Sequence, residues 1–479
     1  QHSPGTPSAR WPRLLNALVG ATCGGLIAAC GGDAGANGDG GTDAATQDAA
    51  HGEQDGATGG AERDGATGGS ADAGAAGGSD ASGATQDAST TRDSGAEAAC
   101  LAATLLDPLG IGHTLVGASM DDDSAKAAPF DARYLYLAGG LFDGDRACTS
   151  CASGCSAGGV SCANGGEGCA WWGCWQYDQD PPGAYVRDFV ARAKADKQIP
   201  MISYYELLQA SGLDEGEEQV KALNDAALMR RYLADFAFVL DQIGDERALV
   251  HIEPDLWAYA QQLNQNPASI PARVASANDE CKSYENNVAG LGRCMIHLVR
   301  VHAPNARVGL HGSGWATGVD VLGNGDSSLD VAGEARKLAA FLGALGAGDS
   351  DFIGVDASDR DAAWYDTQGR ETWWDATNKT LPNFKQAFSW AKGLAEAVKK
   401  PVLWWQVPVG NMQLPNQQNR WKDNRLDYFL DHPDEVAASH GAGMLFGAGD
   451  GNQTTPDTDS GHLIARMKSY AGKPQRTCP

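Results

Sequence analysis

The stretch Leu249-Val250-His251-Ile252-Glu253-Pro254-Asp255-Leu256-Trp257 is the part of the sequence that most directly indicates the fold. It begins as a short apolar run and ends in charged residues, a proline and a tryptophan. A strand that is buried on both faces of a parallel sheet reads as a near-continuous apolar run. Side chains alternate along a strand, so we expect His251, Glu253 and Asp255 to share one face, opposite Val250 and Ile252. Because burying such groups costs free energy, their grouping favours a functional site.

Similar apolar runs, separated by helical patterns, recur from residue 108 to the end of the chain. We predict strands at residues 113–119, 132–138, 200–205, the opening stretch, 307–311, 352–356, 402–407 and 443–446. Helices are predicted at residues 184–196, 217–243, 334–345, 382–399, 420–439 and 462–470. Eight strands alternating with helices predict an α/β fold, a (β/α)8 TIM barrel. An open doubly wound sheet is the alternative, but no glycine-rich phosphate loop opens a helix to favour it.

Length and charge limit the classes of protein to consider. The chain has 479 residues, enough for one large domain with an appendage or for two domains. Its formal charge of -25 and its pI near 4.6 argue against nucleic acid and against an anionic membrane surface as partners. Part of this acidity lies in residues 31–99, which consist almost wholly of Gly, Ala, Asp, Ser, Thr and Gln. Such a segment cannot bury enough apolar surface to fold, so residues 30–99 are predicted to be a disordered acidic tether.

The N-terminal residues have the pattern of an export signal. Arg10 and Arg13 precede an apolar run over residues 14–29 that is too short and too rich in glycine to span a membrane. The run ends in Ile-Ala-Ala-Cys at residues 27–30, which resembles a bacterial lipobox. The resemblance implies a signal peptide over residues 1–29, a lipid on Cys30, and display at the outer membrane or cell surface. An ordinary secretory signal is the alternative.

Cysteine usage agrees with export. Of twelve cysteines, Cys23 would leave with the signal and Cys30 would carry the lipid. The remaining ten suit five disulfides, and six of them lie in residues 145–176, which we interpret as a disulfide-stapled insertion in a catalytic domain spanning residues 100–479. We expect two further pairs, Cys281 with Cys294 and Cys100 with Cys478. A zinc site among the six clustered cysteines is the alternative.

Acidic residues follow several predicted strands. In a TIM barrel the active site forms on the loops after the strands. Those positions hold the carboxylates of Glu206, Glu253, Asp255, Asp356 and Asp359. Glycoside hydrolysis needs one carboxyl group to protonate the leaving oxygen and a second to attack or to activate water.

Aromatic and other polar residues occupy the same positions. Tryptophan offers a large apolar face with a polar edge, which suits sugar rings, although packing in the core is the alternative for each one. We predict sugar contacts from Trp257, Trp315, Trp404, Trp405, Gln406, His311, His251, Tyr204 and Asp359.

With these features, residues 108–475 resemble the secreted TIM-barrel glycoside hydrolases. Glu253-Pro254 resembles the Asn-Glu-Pro motif of their largest clan, with Ile252 in place of the asparagine, and the resemblance implies that Glu253 is the general acid/base. That clan carries its nucleophile at the end of strand seven, where this chain has Gln406, which cannot serve. The α-galactosidase-like clan uses acids after strands four and six, which implies Asp356 as the partner. Asp255 and Glu206 are further candidates, and a structural role for Glu253 is the alternative.

Other chemistries receive less support. His251 and His311 could bind a metal with Asp255 or Asp356, but no His-x-His or His-x-x-x-His spacing occurs, so no metal or cofactor is predicted. The oxygen-rich residues Asp450, Asn452, Asp457 and Asp459 could bind calcium, with a solvated loop as the alternative. No Gly-x-Ser-x-Gly elbow is present to support a serine esterase.

The sequence therefore predicts a monomeric surface lipoprotein whose barrel hydrolyses glycosidic bonds in an extracellular polysaccharide. A non-catalytic lipoprotein that captures glycans on a barrel is the second hypothesis, since it needs the aromatic residues but no pair of carboxylates.

Overall fold

A computed structural model describes residues 100–138, 141, 155–157, 160–162, 183–449 and 452–470. The predicted signal peptide, the lipid site at Cys30, the acidic tether and most of the cysteine-rich insertion lie outside the described residues. In chain order the elements are α1 (Leu101–Leu109), β1 (Leu115–Ala118), α2 (Asp122–Ala127), β2 (Ala132–Leu137), β3 (Cys155–Ala157), β4 (Val160–Cys162), α3 (Ala184–Ala195), β5 (Ile199–Tyr204), α4 (Leu207–Ser211), α5 (Glu217–Ala222), α6 (Ala226–Ile243), β6 (Leu249–Ile252), α7 (Leu256–Leu263), α8 (Val288–His302), β7 (Arg307–His311), α9 (Val331–Ala344), β8 (Phe352–Asp356), α10 (Ala362–Thr367), α11 (Phe384–Val398), β9 (Val402–Val407), α12 (Arg425–Asp431), α13 (Pro433–Ala438), β10 (Gly441–Phe446) and α14 (His462–Tyr470).

Eight of the described strands form a closed barrel in the order β1-β10-β9-β8-β7-β6-β5-β2. Each pairs in parallel with both neighbours, and helices lie between successive strands, which confirms the predicted (β/α)8 barrel. Strands β7, β8 and β9 have the predicted bounds. Strands β3 and β4 form a separate antiparallel pair inside the cysteine-rich insertion.

Alternation along the strands divides the apolar side chains between two regions. The barrel interior contains Leu115, Tyr134, Met201, Leu249, Phe352, Leu403 and Trp405, and α1, which the sequence analysis did not predict, packs against this group. The opposite strand faces pack against the helices through a larger core that includes Phe236, Trp257, Met295, Trp390 and Trp404. Because the strands are parallel, every loop that follows a strand opens at the same end of the barrel, which we call the mouth.

Two predicted helices are each divided in two. The segment 217–243 contains α5 and α6, because Asp225 adopts an extended conformation and its carboxylate accepts from the backbone N–H groups of Ala227 and Leu228 at 2.7 and 2.9 Å. This is the geometry of an N-cap, which starts a new helix. The segment 420–439 begins its first helix at Arg425 and is interrupted at His432, directly before Pro433. Proline suits a first helical turn and cannot continue a helix.

Covalent and membrane features can be checked for the described residues. The predicted disulfide between Cys281 and Cys294 is confirmed, and both cysteines are buried. Cys100 is disulfide-bonded, while Cys478, its expected partner, lies outside the described residues. No helix in the described part of the chain has the length and apolar character needed to cross a membrane.

Candidate active site

A line of four hydrogen-bonding side chains runs inside the barrel towards the mouth. The hydroxyl of Ser203 on β5 lies 3.1 Å from Nδ1 of His251 on β6. Nε2 of His251 lies 3.0 Å from Nδ1 of His311 on β7, and Nε2 of His311 lies 3.1 Å from Oδ1 of Asp356 at the end of β8. The first three side chains are buried, whereas Asp356 is 16% exposed. One end of this line is therefore closed inside the barrel, and its other end is a carboxylate at the mouth.

Three aromatic side chains, Trp405, Tyr136 and Tyr205, lie beside this line, and we call them the aromatic floor. The indole of Trp405, whose residue pairs with Asp356 across β8 and β9, meets the rings of His251 and His311 edge to face, with centroids 4.9 and 5.8 Å apart. Tyr136 of β2 stacks on the indole with ring centroids 5.6 Å apart and an interplanar angle of 11°. Tyr205 packs beside Tyr136 at 5.6 Å. Trp405 is 2% exposed, so Tyr136 is the more accessible face of the floor.

Asp255 lies at the mouth among other carboxylates. Burial raises its pKa well above the usual value, and the negative charges of Glu215, Asp356 and Asp359 raise it further. Its charge also raises the pKa of Tyr136 and Tyr205, which places Asp255 beside the aromatic floor. Within the described residues no hydrogen bond reaches its carboxylate, and some of its surface stays exposed. Asp255 is therefore a carboxyl group that favours its protonated form beside a second carboxyl group, Asp356.

The outer mouth carries a second group of aromatic and acidic side chains. Asp359 accepts a hydrogen bond from the hydroxyl of Tyr365 and pairs with Arg360. Tyr259 packs against Trp315 with ring centroids 4.8 Å apart, and both rings are partly exposed. Gln406 lies beside Asp359, since a Cβ atom at Gly449 would meet both Nε2 of Gln406 and the backbone oxygen of Asp359. Of the predicted sugar-binding residues, the mouth or the interior directly below it contains His251, His311, Trp315, Asp359, Trp405 and Gln406.

Glu253, the residue that the resemblance implied as the acid/base, occupies a different environment. It is fully buried, and its Oε1 accepts hydrogen bonds from the backbone N–H groups of Glu206 and Leu207 at 3.1 Å each and from the hydroxyl of Tyr232 at 2.7 Å. Tyr232 belongs to α6, so this carboxyl group points into the layer between strand and helix. Burial raises its pKa to about 7, and the three hydrogen bonds oppose that rise.

The expectation that alternation carries His251, Glu253 and Asp255 onto one face is wrong. Strand β6 ends at Ile252, and the backbone then turns through positive φ values of 47° at Glu253 and 70° at Asp255. Non-glycine residues adopt such values at a cost, and they are frequent at functional sites. Gln406, at the end of β9, is a third such residue, with φ 56°. The turn separates the Glu253 and Asp255 side chains, which period-two counting had placed together.

Four further predicted site residues lie in the core. Glu206 is fully buried. Tyr204 donates to Asp235 at 2.8 Å and packs against Tyr232 and Phe236. The indole of Trp257 donates to the carbonyl of Ile252 at 3.0 Å, and Trp404 packs among Trp374, Phe388 and Phe429. The alternative given for the tryptophans, packing in the core, therefore describes Trp257 and Trp404.

Sequence reasoning missed four residues of the mouth: Tyr136, Tyr205, Tyr259 and Glu215. Tyr136 could have been found by alternation, since Tyr134 and Tyr136 share the inward face of β2. Glu215 could not, because it is brought to the mouth by the segment between α4 and α5, where the hydroxyl of Tyr205 donates to it at 2.9 Å. Its position depends on packing between loops, and such packing produces no periodic pattern in the sequence.

The predicted oxygen-rich loop is partly described. Asp459 accepts from the backbone N–H groups of Gly461 and Leu463, and Asp457 lies 3.5 Å from the hydroxyl of Ser124. Asn452 contacts Gln418, and Asp450 lies outside the described residues. Among the residues that the structure describes, no group of three or more His, Cys, Asp or Glu side chains has the arrangement to hold a metal ion.

Comparisons with known proteins give no family assignment. No protein-family model matches the chain, and no curated protein matches it. Several of the solved structures that match are glycoside hydrolases. An endo-beta-1,4-mannanase from Cellulomonas fimi matches with a TM-score of 0.42 and 14% identity, over 78% of this chain and 74% of its own.

Two further structures extend the comparison. A glycoside hydrolase family 5 enzyme from Prevotella bryantii, solved with a xyloglucan tetradecasaccharide, matches with a TM-score of 0.37 and 12% identity, over 74% of this chain and 87% of its own. The endoglucanase Cel6 from Mycobacterium tuberculosis matches with a TM-score of 0.27 and 13% identity, over 50% of this chain and 62% of its own. The match thus spans less than two thirds of that endoglucanase.

Proposed function

We propose that this protein is a glycoside hydrolase that cleaves a polysaccharide, with Asp255 as the general acid and Asp356 as the second carboxylate. One observation carries the proposal. Two carboxyl groups with unlike environments lie at the mouth of the barrel, Asp255 after β6 and Asp356 at the end of β8, and the charge of one acts on the other. Glycoside hydrolysis needs a pair of carboxyl groups, one that donates a proton and a second that attacks or activates water.

The environment of Asp255 suits a proton donor. Burial and the surrounding negative charges raise its pKa well above the usual value, so it retains a proton at pH values where an exposed aspartate is ionised. Within the described residues no cation is paired with it that would reverse this effect. A general acid must hold its proton until the leaving oxygen accepts it, and Asp255 meets that condition.

The environment of Asp356 suits the complementary role. Its Oδ1 faces Nε2 of His311 at 3.1 Å, so this ring nitrogen can donate to the carboxyl group and orient it. An ionised carboxylate at this position can attack the anomeric carbon or take a proton from a water that attacks it. The two roles that the reaction needs are therefore divided between Asp255 and Asp356, and Glu253, buried behind the strand, takes neither.

The aromatic residues suit a sugar substrate. Tyr136 presents a ring face at the mouth above the indole of Trp405, and Tyr259 with Trp315 presents a second aromatic surface further out. Aromatic faces bind the C–H faces of sugar rings, and two such surfaces suit a chain of several sugars. The sequence-based expectation of an exported lipoprotein anchored through Cys30 would place this mouth where extracellular polysaccharides occur.

The test is the release of reducing ends from a panel of plant, fungal and bacterial polysaccharides by the full chain. Wild-type protein is compared with Asp255→Asn and Asp356→Asn, each of which is expected to lower kcat by about 10²- to 10⁴-fold. Asp245→Asn is the matched control, because Asp245 is exposed and precedes β6 at the opposite end of the barrel. Binding of a polysaccharide without hydrolysis by the wild type would reject the enzyme and favour the glycan-capture hypothesis.

A further inference from the structure

The hydrogen-bonded line of side chains from Ser203 to Asp356 is more regular than sugar binding alone requires. Each of its three contacts joins two side chains at 3.0 to 3.1 Å, and together they connect four adjacent barrel strands. Ser203 and His251 are register partners on β5 and β6, so their contact is a direct product of strand pairing. Buried polar side chains are costly unless they are hydrogen-bonded, and here each ring nitrogen has a partner.

Packing holds the two imidazoles in place. Gly354 on β8 leaves the space that the His251 ring occupies, since a Cβ atom at that position would lie 2.5 Å from Nε2 of His251. Trp405 covers both rings from the other side. With their orientations fixed in this way, the rings can exchange protons only along the line of contacts.

Two arrangements of protons satisfy the line if each imidazole carries one proton. In the first, the Ser203 hydroxyl donates to Nδ1 of His251, Nε2–H of His251 donates to Nδ1 of His311, and Nε2–H of His311 donates to an ionised Asp356. In the second, a protonated Asp356 donates to Nε2 of His311, and both other hydrogen bonds reverse. The direction of all three bonds is thus tied to the protonation state of one carboxyl group.

Ser203 favours the first arrangement. Within the described residues its hydroxyl has one hydrogen-bond partner, Nδ1 of His251. In the second arrangement that nitrogen is itself a donor, so the buried hydroxyl hydrogen loses its acceptor, which costs free energy. Burial, and then the neighbouring His311, lower the pKa of His251 well below its usual value, so its ring carries one proton rather than two.

We propose that Ser203, His251 and His311 form a one-way hydrogen-bond relay that presents an N–H group to Asp356 and fixes the orientation of this carboxyl group. The three are positioning residues, since they act on the substrate only through Asp356. This inference rests on the proposed function for its consequence in catalysis, whereas the relay itself is a property of the barrel interior.

Other acidic groups surround the same carboxyl group. Asp255 approaches from the end of β6 and Asp320 from the segment after β7, and the charge of Asp356 acts on both. Asp359 lies on the loop that follows Asp356, and Glu215 faces Asp255 across the mouth. Among these acids, the ring of His311 is the hydrogen-bond donor that Asp356 meets.

The first test reads the tautomers directly and needs no activity. Imidazole ¹⁵N shifts of the ¹⁵N-histidine-labelled full chain, assigned with His251→Phe and His311→Gln, report which nitrogen of each ring carries the proton. We expect Nε2–H on both rings near pH 7. Nδ1–H on either ring, or two protons on His311, would overturn the relay even if the protein hydrolyses polysaccharides.

The second test uses the pH dependence of kcat/KM. Ser203→Ala is expected to move the acidic limb to higher pH by roughly half a unit, and His311→Leu by about one unit or more with a fall in kcat. His311→Gln, whose side-chain N–H group can still reach Asp356, should restore most of the loss. If His311→Leu does not fold, the Ser203→Ala profile and the ¹⁵N shifts decide the question.

Two matched controls accompany these variants. His113→Gln alters another histidine that contacts an aspartate, Asp131, at 3.0 Å, but before β1 at the opposite end of the barrel. Ser350→Ala removes a buried hydroxyl that bonds only to backbone carbonyls. Profiles of Ser203→Ala and His311→Leu that match those controls would overturn the relay. Correct tautomers without hydrolysis of any polysaccharide would overturn the proposed function alone.

Discussion

The hydroxyl of Tyr232 donates to Oε1 of Glu253 at 2.7 Å, and this contact directs the carboxyl group towards helix α6 and away from the barrel mouth. The same oxygen accepts from the backbone N–H groups of Glu206 and Leu207, where α4 begins. Glu253 thus fixes the β5–α4 connection to the end of β6. Its importance in this structure is the positioning of the loop that leads to Glu215, and in the proposed function the general acid is its neighbour Asp255.

The first prediction concerns the pH dependence of stability. Burial raises the pKa of Glu253 from 4.5 to about 7, so folding takes up a proton between these values. Its contribution to stability is fully present below about pH 4.5 and is lost as the pH rises through 7, by about 2.5 kcal/mol between pH 5 and pH 8. Glu253→Gln should remove this part of the decline in the free energy of unfolding, measured by urea denaturation at the two pH values.

A matched control separates this effect from general charge removal. Glu371 is exposed, so Glu371→Gln should show the same pH dependence as the wild type. We also expect Glu253→Gln to keep its hydrolytic activity, because Gln can accept the same three hydrogen bonds. Loss of turnover in a folded Glu253→Gln protein would return the general acid to Glu253.

The second prediction separates a binding tryptophan from a core tryptophan. Trp404 is fully buried among aromatic rings, so Trp404→Ala should lower the free energy of unfolding by about 3–5 kcal/mol. Trp315 is partly exposed beside Tyr259, so Trp315→Ala should raise KM about tenfold and change stability little. Steady-state kinetics and denaturation measure the two effects. A large loss of stability in Trp315→Ala with an unchanged KM would contradict this assignment.

The third prediction concerns the disulfide between Cys281 and Cys294, which are 13 residues apart and buried. Cross-linking a loop of this length restricts the unfolded chain and contributes about 3 kcal/mol. Replacing both cysteines by alanine should therefore lower the free energy of unfolding by about that amount, as measured by denaturation. Hydrolysis should persist, since the loop lies outside the mouth residues. Equal stability of the two proteins would show that the loop is held by its other contacts.

Much of the fold could be predicted because strands of a buried parallel barrel produce a repeated apolar signal. The bounds of β7, β8 and β9 follow directly from it. The breaks inside helices could not be predicted in the same way. Asp225 separates two helices and caps the second, but the apolar residues on both sides of it keep the same helical spacing. Helix α1 could not be predicted from the strand–helix repeat, because it precedes the first strand. Its apolar residues pack against those of the barrel interior.

The candidate site was harder to predict than the fold. The position of Asp356 at the mouth could be predicted because its strand is regular up to its last residue. The resemblance of Glu253-Pro254 to the Asn-Glu-Pro motif favours Glu253 over Asp255, and alternation places both on one face. The backbone instead turns through positive φ values after Ile252, which no periodic pattern predicts. The relay through Ser203 and His251 depends on the register between strands that are far apart in sequence. That register cannot be derived from a single sequence.

The measurement that tests the central claim most directly compares two leaving groups. In a dinitrophenyl glycoside of the preferred sugar, the dinitrophenolate leaves without protonation. In the polysaccharide, a general acid must protonate the leaving oxygen. We predict that the kcat of Asp255→Asn falls by about 10²-fold or more on the polysaccharide and stays close to wild type on the dinitrophenyl glycoside, while Asp356→Asn loses activity on both. Equal losses of Asp255→Asn on the two substrates, or unchanged activity of either variant on the polysaccharide, would contradict it.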